Sequence, residues 1–207
     1  MNNKVLVIDL DGTLYATNTF HQFVKYLLTR SAKSLDLLLT FRILLFMTFR
    51  MLKIISHSRL KYNVLGSIKN KSYLDNVEFV ESIGGYKRDI SKLYNEEYNL
   101  KILATAAPAC YSKIIAKDHK FDACIATENP YSRHLLRFEN SKENKKKNVV
   151  SYLKTKGLGT IDLFITDHID DLSLIKISKK NIIINPDKHF EKTLQSLDIQ
   201  YEVVRCD

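Results

Sequence analysis

From Lys4 to Asp9 the chain runs Lys-Val-Leu-Val-Ile-Asp, apolar without alternation, and then breaks on Asp9-Leu10-Asp11-Gly12-Thr13. Continuous apolarity in so short a run is the pattern of a strand buried on both faces, the position of a central strand in a parallel sheet. From Thr19 to about residue 95 the period changes. Phe20, Phe23, Val24, Leu27 and Leu28 fall on one helical face, and Leu60, Val64 and Leu65 repeat the spacing. This predicts four or so helices in succession with no strand between them, the last broken near Gly84-Gly85.

Strand patterns resume at Leu100–Ala104, Ala123–Ala126, Leu163–Thr166 and Ile182–Ile184, with helical patterns between them at about Tyr111–Lys117 and Lys145–Lys154. Alternation of this kind predicts an α/β fold with a doubly wound parallel sheet. The helical stretch then reads as an insertion in the first crossover, giving a core of residues 1–15 and 96–207 and a small α-helical cap of residues 16–95. A chain of 207 residues has room for one such core and its insertion.

The charge is uneven. Between Phe20 and Leu74 ten Lys or Arg face the single Asp36, a concentration that accounts for the whole formal excess of +9. Such a field suits an anionic substrate, an acidic membrane surface or nucleic acid; the plainer reading is that these cations keep an apolar subdomain in water. The stretch Leu35–Ile55 is the most hydrophobic, but Asp36, Arg42, Arg50 and Lys53 interrupt it, whereas a spanning helix wants about 20 predominantly apolar residues. A buried or interfacial helix is expected there. Cys110, Cys124 and Cys206 show neither a pairing pattern nor zinc-like spacing, and a charge appears too early for a signal peptide, so a cytoplasmic location is expected.

Ligands of open α/β sheets gather beyond the carboxyl ends of the strands. Four polar places fall there: Asp9-Leu10-Asp11-Gly12, Thr105, the lysines 142 and 145–147, and Thr166-Asp167-His168-Ile169-Asp170-Asp171. Asp9 and Asp11 would share one opening while Gly12 lets the chain turn away. With Asp167 they make an oxygen-rich set suited to magnesium, and no His or Cys cluster offers zinc a site. Each place also has an ordinary reading. Asp-Gly is a common turn, Thr105 can simply cap the next helix, a lysine run is usually a solvated face, and Asp170 and Asp171 suit a helix start.

Taken in order, the four places resemble the motifs of the haloacid dehalogenase superfamily. Val7-Ile8-Asp9-Leu10-Asp11-Gly12-Thr13-Leu14 is close to its first motif, Leu103-Ala104-Thr105 to its second, Lys145 with Val149 and Leu153 to its third, and Asp167 with Asp171 to its acidic fourth. The helical insertion after the first motif is similar to the cap of the phosphoserine-phosphatase-like branch, which also holds phosphatidylglycerophosphate phosphatases. The resemblance implies a magnesium-dependent phosphatase. In it Asp9 is the nucleophile, Asp11 is general acid and then base, and Thr105 and Lys145 bind the phosphoryl oxygens. Magnesium is held by Asp9, the Asp11 backbone carbonyl and Asp167, with Asp171 in support.

Two places depart from the family pattern. His168 stands where a small residue is common, and Lys146 offers a second helical register, with Val150 and Leu153 four and seven positions later. The expected substrate is a phosphorylated small molecule. A lipid phosphate met at an anionic membrane surface is the alternative, a phosphotransferase shares the same covalent intermediate, and a non-catalytic nucleic-acid module is disfavoured by the full set of site residues.

Overall fold

The computed structural model describes residues 4–93, 98–131, 133–135 and 137–206. The expected boundary between insertion and core at 95–96, and the chain ends 1–3 and 207, lie outside the described residues. In chain order the elements are β1 (Val5–Ile8), α1 (Thr19–Lys33), α2 (Leu37–Met51), α3 (His57–Ile68), α4 (Asn76–Ser82), β2 (Leu100–Pro108), α5 (Ala109–Asp118), β3 (Ala123–Thr127), α6 (Lys142–Thr155), β4 (Ile161–Thr166), α7 (Leu172–Ile175), β5 (Ser178–Ile184), α8 (Lys188–Ser196) and β6 (Glu202–Val204). Short 3-10 turns at Gly84–Tyr86, Ser91–Leu93 and Ile169–Asp171 complete them.

The six strands form one parallel sheet in the order β3-β2-β1-β4-β5-β6. The doubly wound α/β expectation holds, and β1 is central, as its unbroken apolarity requires. Its residues alternate between two cores: Leu6 and Ile8 join Leu103, Ile165 and Tyr111 on one face, while Val5 and Val7 join Phe164, Val149, Leu174 and Phe190 on the other. All four β1 side chains are fully buried. The chain reverses direction across the sheet at β1, with β2 to one side and β4 to the other, so the crevice beyond its carboxyl end is the natural ligand position.

The helical segment forms as its spacing predicts. Asn18, Asp36, Ser56 and Asp75 each cap the following helix, accepting hydrogen bonds from the backbone N–H groups of His21, Leu39, Arg59 and Val77 respectively. Phe20, Phe23, Val24 and Leu27 of α1, Leu60, Val64 and Leu65 of α3 and Phe79 of α4 pack into the same apolar cluster as β1 and α5. Phe79 sits 4.9 Å from both Phe23 and Tyr111, centroid to centroid, and fastens the segment to the core helix α5. The 84–88 segment also returns to the first motif, where Ala16 N donates to Tyr86 O and Arg88 N to Leu14 O.

Three elements differ from the sequence reading. β2 runs on through Thr105 to Pro108, with an irregular register after Ala104. The edge pair α8 and β6 lies outside the sequence expectations, because β6 is only three residues, Glu202 and Val203 exposed and Val204 partly buried. The helix expected between Leu35 and Ile55 forms as α2, but it buries only Leu39 and Ile43, leaving most of its apolar side chains exposed.

Candidate active site

Asp9 follows β1 directly, its backbone N–H bonded to Ile165 O at 2.9 Å, which fixes it beside the end of β4. Its carboxylate is nearly buried and accepts a hydrogen bond from Lys145 Nζ at 2.8 Å. Lys145 enters from the first turns of α6 and also meets Asp171 Oδ1 at 2.6 Å. Lys146 turns away, 3.9 Å from Glu143 on the helix surface, so of the two registers it is Lys145 that the fold brings to Asp9.

Asp11 is half-buried, and its Oδ1 accepts from both the backbone N–H of Thr19 (2.8 Å) and its hydroxyl (2.6 Å). The Thr19 hydroxyl in turn lies 3.0 Å from Tyr111 Oη, inside the apolar cluster. Gly12 takes φ +74°, a left-handed conformation that only glycine adopts freely, and a Cβ there would collide with the Asp167 carboxylate. Thr13 Oγ1 donates to Asp167 Oδ1 at 3.1 Å.

Thr105 does not cap the next helix. It lies within β2, α5 begins at Ala109 without a side-chain cap, and Thr105 Oγ1 accepts from the Ala107 N–H at 3.0 Å. Among the described residues its hydroxyl proton has no acceptor. Asp171 is likewise no simple helix-start carboxylate, for it is buried between Lys145 and the Thr166 hydroxyl, 2.7 Å away. Asp170 stays at the surface with Lys142 at 3.5 Å. His168 points largely to solvent, its Nδ1 accepting from the Asp170 N–H.

Together Asp9, Asp11, Gly12, Thr105, Lys145, Asp167 and Asp171 line one cleft of about 450 Å³. Its electrostatics follow from burial. Desolvation raises the pKa of Asp9 well above the ordinary carboxylate range; Lys145 opposes this, and Asp171 and Asp167 add to it. Desolvation also raises Asp11, against the Thr19 hydrogen bonds, and pushes Asp167 up to about 6. Burial disfavours the Lys145 ammonium, yet Asp171 and Asp9 outweigh that cost and hold its pKa above the usual lysine value. Four buried or half-buried carboxylates, Asp9, Asp11, Asp167 and Asp171, thus line the cleft, and its one buried ammonium group, Lys145, pairs with Asp9 and Asp171 alone, which leaves an excess of negative charge.

That excess fits a divalent cation. Among the described residues no three His, Cys, Asp or Glu side chains converge as a ready metal cluster. The set implied by the motif resemblance needs only two carboxylates, Asp9 and Asp167, plus the Asp11 carbonyl. All three are hard oxygen donors, and magnesium completes its shell with water and phosphate oxygens. Gly12 leaves the space that the Asp167 carboxylate occupies, so the residues present fit the ion.

Several supporting residues escaped the sequence reading. Asn140 is buried and joins the ends of β2 and β3, donating from Nδ2 to Thr105 O (2.9 Å) and Ile125 O (2.8 Å). Lys61 reaches from α3 to Ala106 O at 2.7 Å and pairs with Glu139, which His57 also approaches at 3.4 Å. Arg88 bonds the Gly12 carbonyl and lines the cleft, and its buried Nε has no hydrogen-bond partner among the described residues. None carries a motif. The one available signal for Lys61 was a lysine on the apolar face of α3, beside Leu60, Val64 and Leu65.

A family model for haloacid dehalogenase-like hydrolases matches residues 6–176. Comparison with curated protein sequences finds no match. Among solved structures, a protein of unknown function from Bordetella pertussis Tohama I superposes with TM-score 0.76 at 19% identity, covering 98% of this chain and 99% of that one. A phosphoserine phosphatase solved as a phospho-aspartyl intermediate analogue gives TM-score 0.58 at 14% identity, over 98% and 94% of the two chains. A phosphoserine phosphohydrolase-like protein from Francisella tularensis subsp. tularensis SCHU S4 gives 0.55 at 17% identity, over 97% and 94%. At these identities the superpositions speak to fold. The family match spans most of the sequence and includes all four motif positions, and on that ground the chain belongs to the haloacid dehalogenase-like hydrolases.

Proposed function

We propose that this protein is a magnesium-dependent phosphomonoester hydrolase working through an aspartyl-phosphate on Asp9. The observation that carries the reading is the Asp9 carboxylate at the end of the central strand, 2.8 Å from Lys145 Nζ, in a cleft that also presents Asp11 and the Thr105 hydroxyl. The solved phosphoserine phosphatase named as a phospho-aspartyl intermediate analogue shares this fold and supports the same chemistry.

In this mechanism an Asp9 carboxylate oxygen attacks phosphorus and the bond to the ester oxygen breaks. Asp11 delivers a proton to that leaving oxygen. A water then attacks the phosphorus of the aspartyl-phosphate, gives its proton to Asp11, and releases inorganic phosphate and free Asp9. Burial raises the pKa of Asp11, as a group that must donate and then accept a proton near neutrality requires. Lys145 and Thr105 hold the phosphoryl oxygens, and Asp171 keeps Lys145 charged and aimed at Asp9. Asp9, the Asp11 carbonyl and Asp167 would hold magnesium, which when bound would supply electrostatic stabilisation of the transferring phosphoryl group. Arg88 adds a cation at the cleft wall for an anionic leaving group. The free Cys110, Cys124 and Cys206 suit a reducing compartment, and we place the activity in the cytoplasm.

The test is turnover of p-nitrophenyl phosphate with magnesium by the wild type and an Asp9→Asn variant, with acid-quenched samples assayed for alkali-labile phosphate on the protein. Magnesium-dependent turnover and protein-bound phosphate, both absent in Asp9→Asn, are expected. Turnover that survives in a folded Asp9→Asn protein would refute the assignment.

A further inference from the structure

Helix α2 presents the wrong face to water. Its buried side is narrow, Leu39 and Ile43, while Leu37, Phe41, Leu44 and Met51 recur at three-, four- and seven-residue steps along the opposite side, with Leu38 beside them. These five are 69, 64, 48, 82 and 59% exposed in that order, and the flanking turns add exposed Leu35, Leu52 and Ile54. Contiguous apolar surface of this kind marks an interaction site. No helix is long and apolar enough to cross a membrane, and α2, at 15 residues, spans only about 22 Å.

The charges around the patch are of one sign. Lys25, Lys33, Arg42, Arg50 and Lys53 are all exposed, and none forms an ion pair among the described residues. The one acid between Phe20 and Leu74, Asp36, is consumed by Lys71, the Tyr73 hydroxyl and the Leu39 N–H, and Glu78 of α4 is taken by Arg30 and the Tyr26 hydroxyl. A groove of about 530 Å³ opens between α1 and the end of α2, floored by Phe20, Val24, Leu28 and Met47 and rimmed by Lys25, Arg50 and Lys53. An apolar stripe bordered by uncompensated cations matches one kind of surface, an interface with acyl chains below and anionic headgroups at its edge. A second copy of this chain would bring the same cations against one another with no acid to offset them.

We propose that α2 and its flanking turns form a docking face for an anionic lipid bilayer, with Leu37, Leu38, Phe41 and Leu44 entering the headgroup boundary and Arg42, Arg50 and Lys53 meeting lipid phosphates. The groove's Phe20 follows directly on Thr19, the residue that holds Asp11, so docking brings the catalytic cleft close to the membrane surface. The proposal stands apart from the catalytic reading, since binding requires none of the cleft residues.

Co-sedimentation with vesicles of phosphatidylglycerol and phosphatidylcholine, beside vesicles of phosphatidylcholine alone, tests it at low and at physiological salt. The wild type is expected to partition onto the anionic vesicles at least tenfold more than onto the neutral ones. A Leu38→Glu/Phe41→Glu/Leu44→Glu variant is expected to lose that partition at least tenfold, while keeping its melting temperature and its hydrolysis of p-nitrophenyl phosphate. An Arg42→Gln/Arg50→Gln/Lys53→Gln variant should bind more weakly and with a shallower salt dependence. Absence of wild-type binding at low salt, undiminished binding by the folded glutamate variant, or a dimer in light scattering that the glutamate variant abolishes without any vesicle binding would each overturn the proposal.

Discussion

The space that a side chain at residue 12 would fill is occupied by the carboxylate of Asp167, 155 positions later in the chain. Gly12 is therefore fixed twice, by its φ of +74° and by the acid packed against its Cα. Gly12→Ala must displace Asp167 from the opening it shares with Asp9. Turnover is expected to fall at least about 100-fold, the scale on which ångström-level misplacement acts. Magnesium should raise the melting temperature of the wild type but not that of Gly12→Ala or Asp167→Asn, because the ion stabilises only the fold that binds it. Differential scanning fluorimetry with magnesium and with a chelator reads both.

Thr19 gives Asp11 two hydrogen bonds, and both favour the charged carboxylate. Thr19→Val removes the shorter of them and leaves Tyr111 Oη without its partner. Asp11 should then hold its proton to higher pH. With Asp11 as general acid, the basic limb of the kcat/KM profile is expected to move upward in pH, with a fall in kcat of about tenfold on substrates with poor leaving groups. Thr19→Ser keeps the hydroxyl and should restore the wild-type profile.

Phe79 is fully buried between Phe23 and Tyr111 and fastens α4 to α5. Truncating it leaves an aromatic-sized cavity, and Phe79→Ala is expected to cost about 3–5 kcal/mol of stability. Urea unfolding measures the loss. Hydrogen exchange should show the largest rise in α4 and at Tyr111, since they line the cavity.

Glu139 is buried, which disfavours its charge, but His57 and Lys61 prevail and hold its pKa down to about 2, below the ordinary value of 4.5. A depressed folded pKa contributes stability that is fully present above the unfolded pKa and is lost as the pH falls through the folded one. The melting temperature should therefore drop between pH 4.5 and about 2 partly through this group. Glu139→Gln should lower the melting temperature at pH 7, because it strands the buried Lys61 ammonium, and flatten that acid limb. A titration of melting temperature against pH in both proteins decides it.

Much of the scaffold was written locally. The unbroken Val5–Ile8 run announced a strand covered on both sides, and the spacing of Phe20, Phe23, Val24 and Leu27 announced α1. β6 was not legible, since a short edge strand has one covered face and needs no apolar run. The acids and cations that meet in the cleft were visible as residue types at strand ends. What the sequence left open was which lysine, and whether Thr105 capped a helix. Only the packed position of α6 turns Lys145 inward and Lys146 outward, and only the extension of β2 takes Thr105 away from a cap.

For the elements that bear on the site, though not for the edge pair α8 and β6, the sequence by itself determined element type, because period and end signals act over a few neighbouring residues. It determined the chemical inventory of the site for the same reason: acids, a threonine and a lysine at the ends of strands. The tertiary structure alone decided contacts that join distant segments, such as Asn140 bridging β2 and β3, Lys61 on the Ala106 carbonyl, Arg88 on Gly12, and Asp167 in the space above Gly12. It also decided that α2 keeps its apolar side in water. Whether a helix face is buried depends on what packs against it, and no local pattern carries that information.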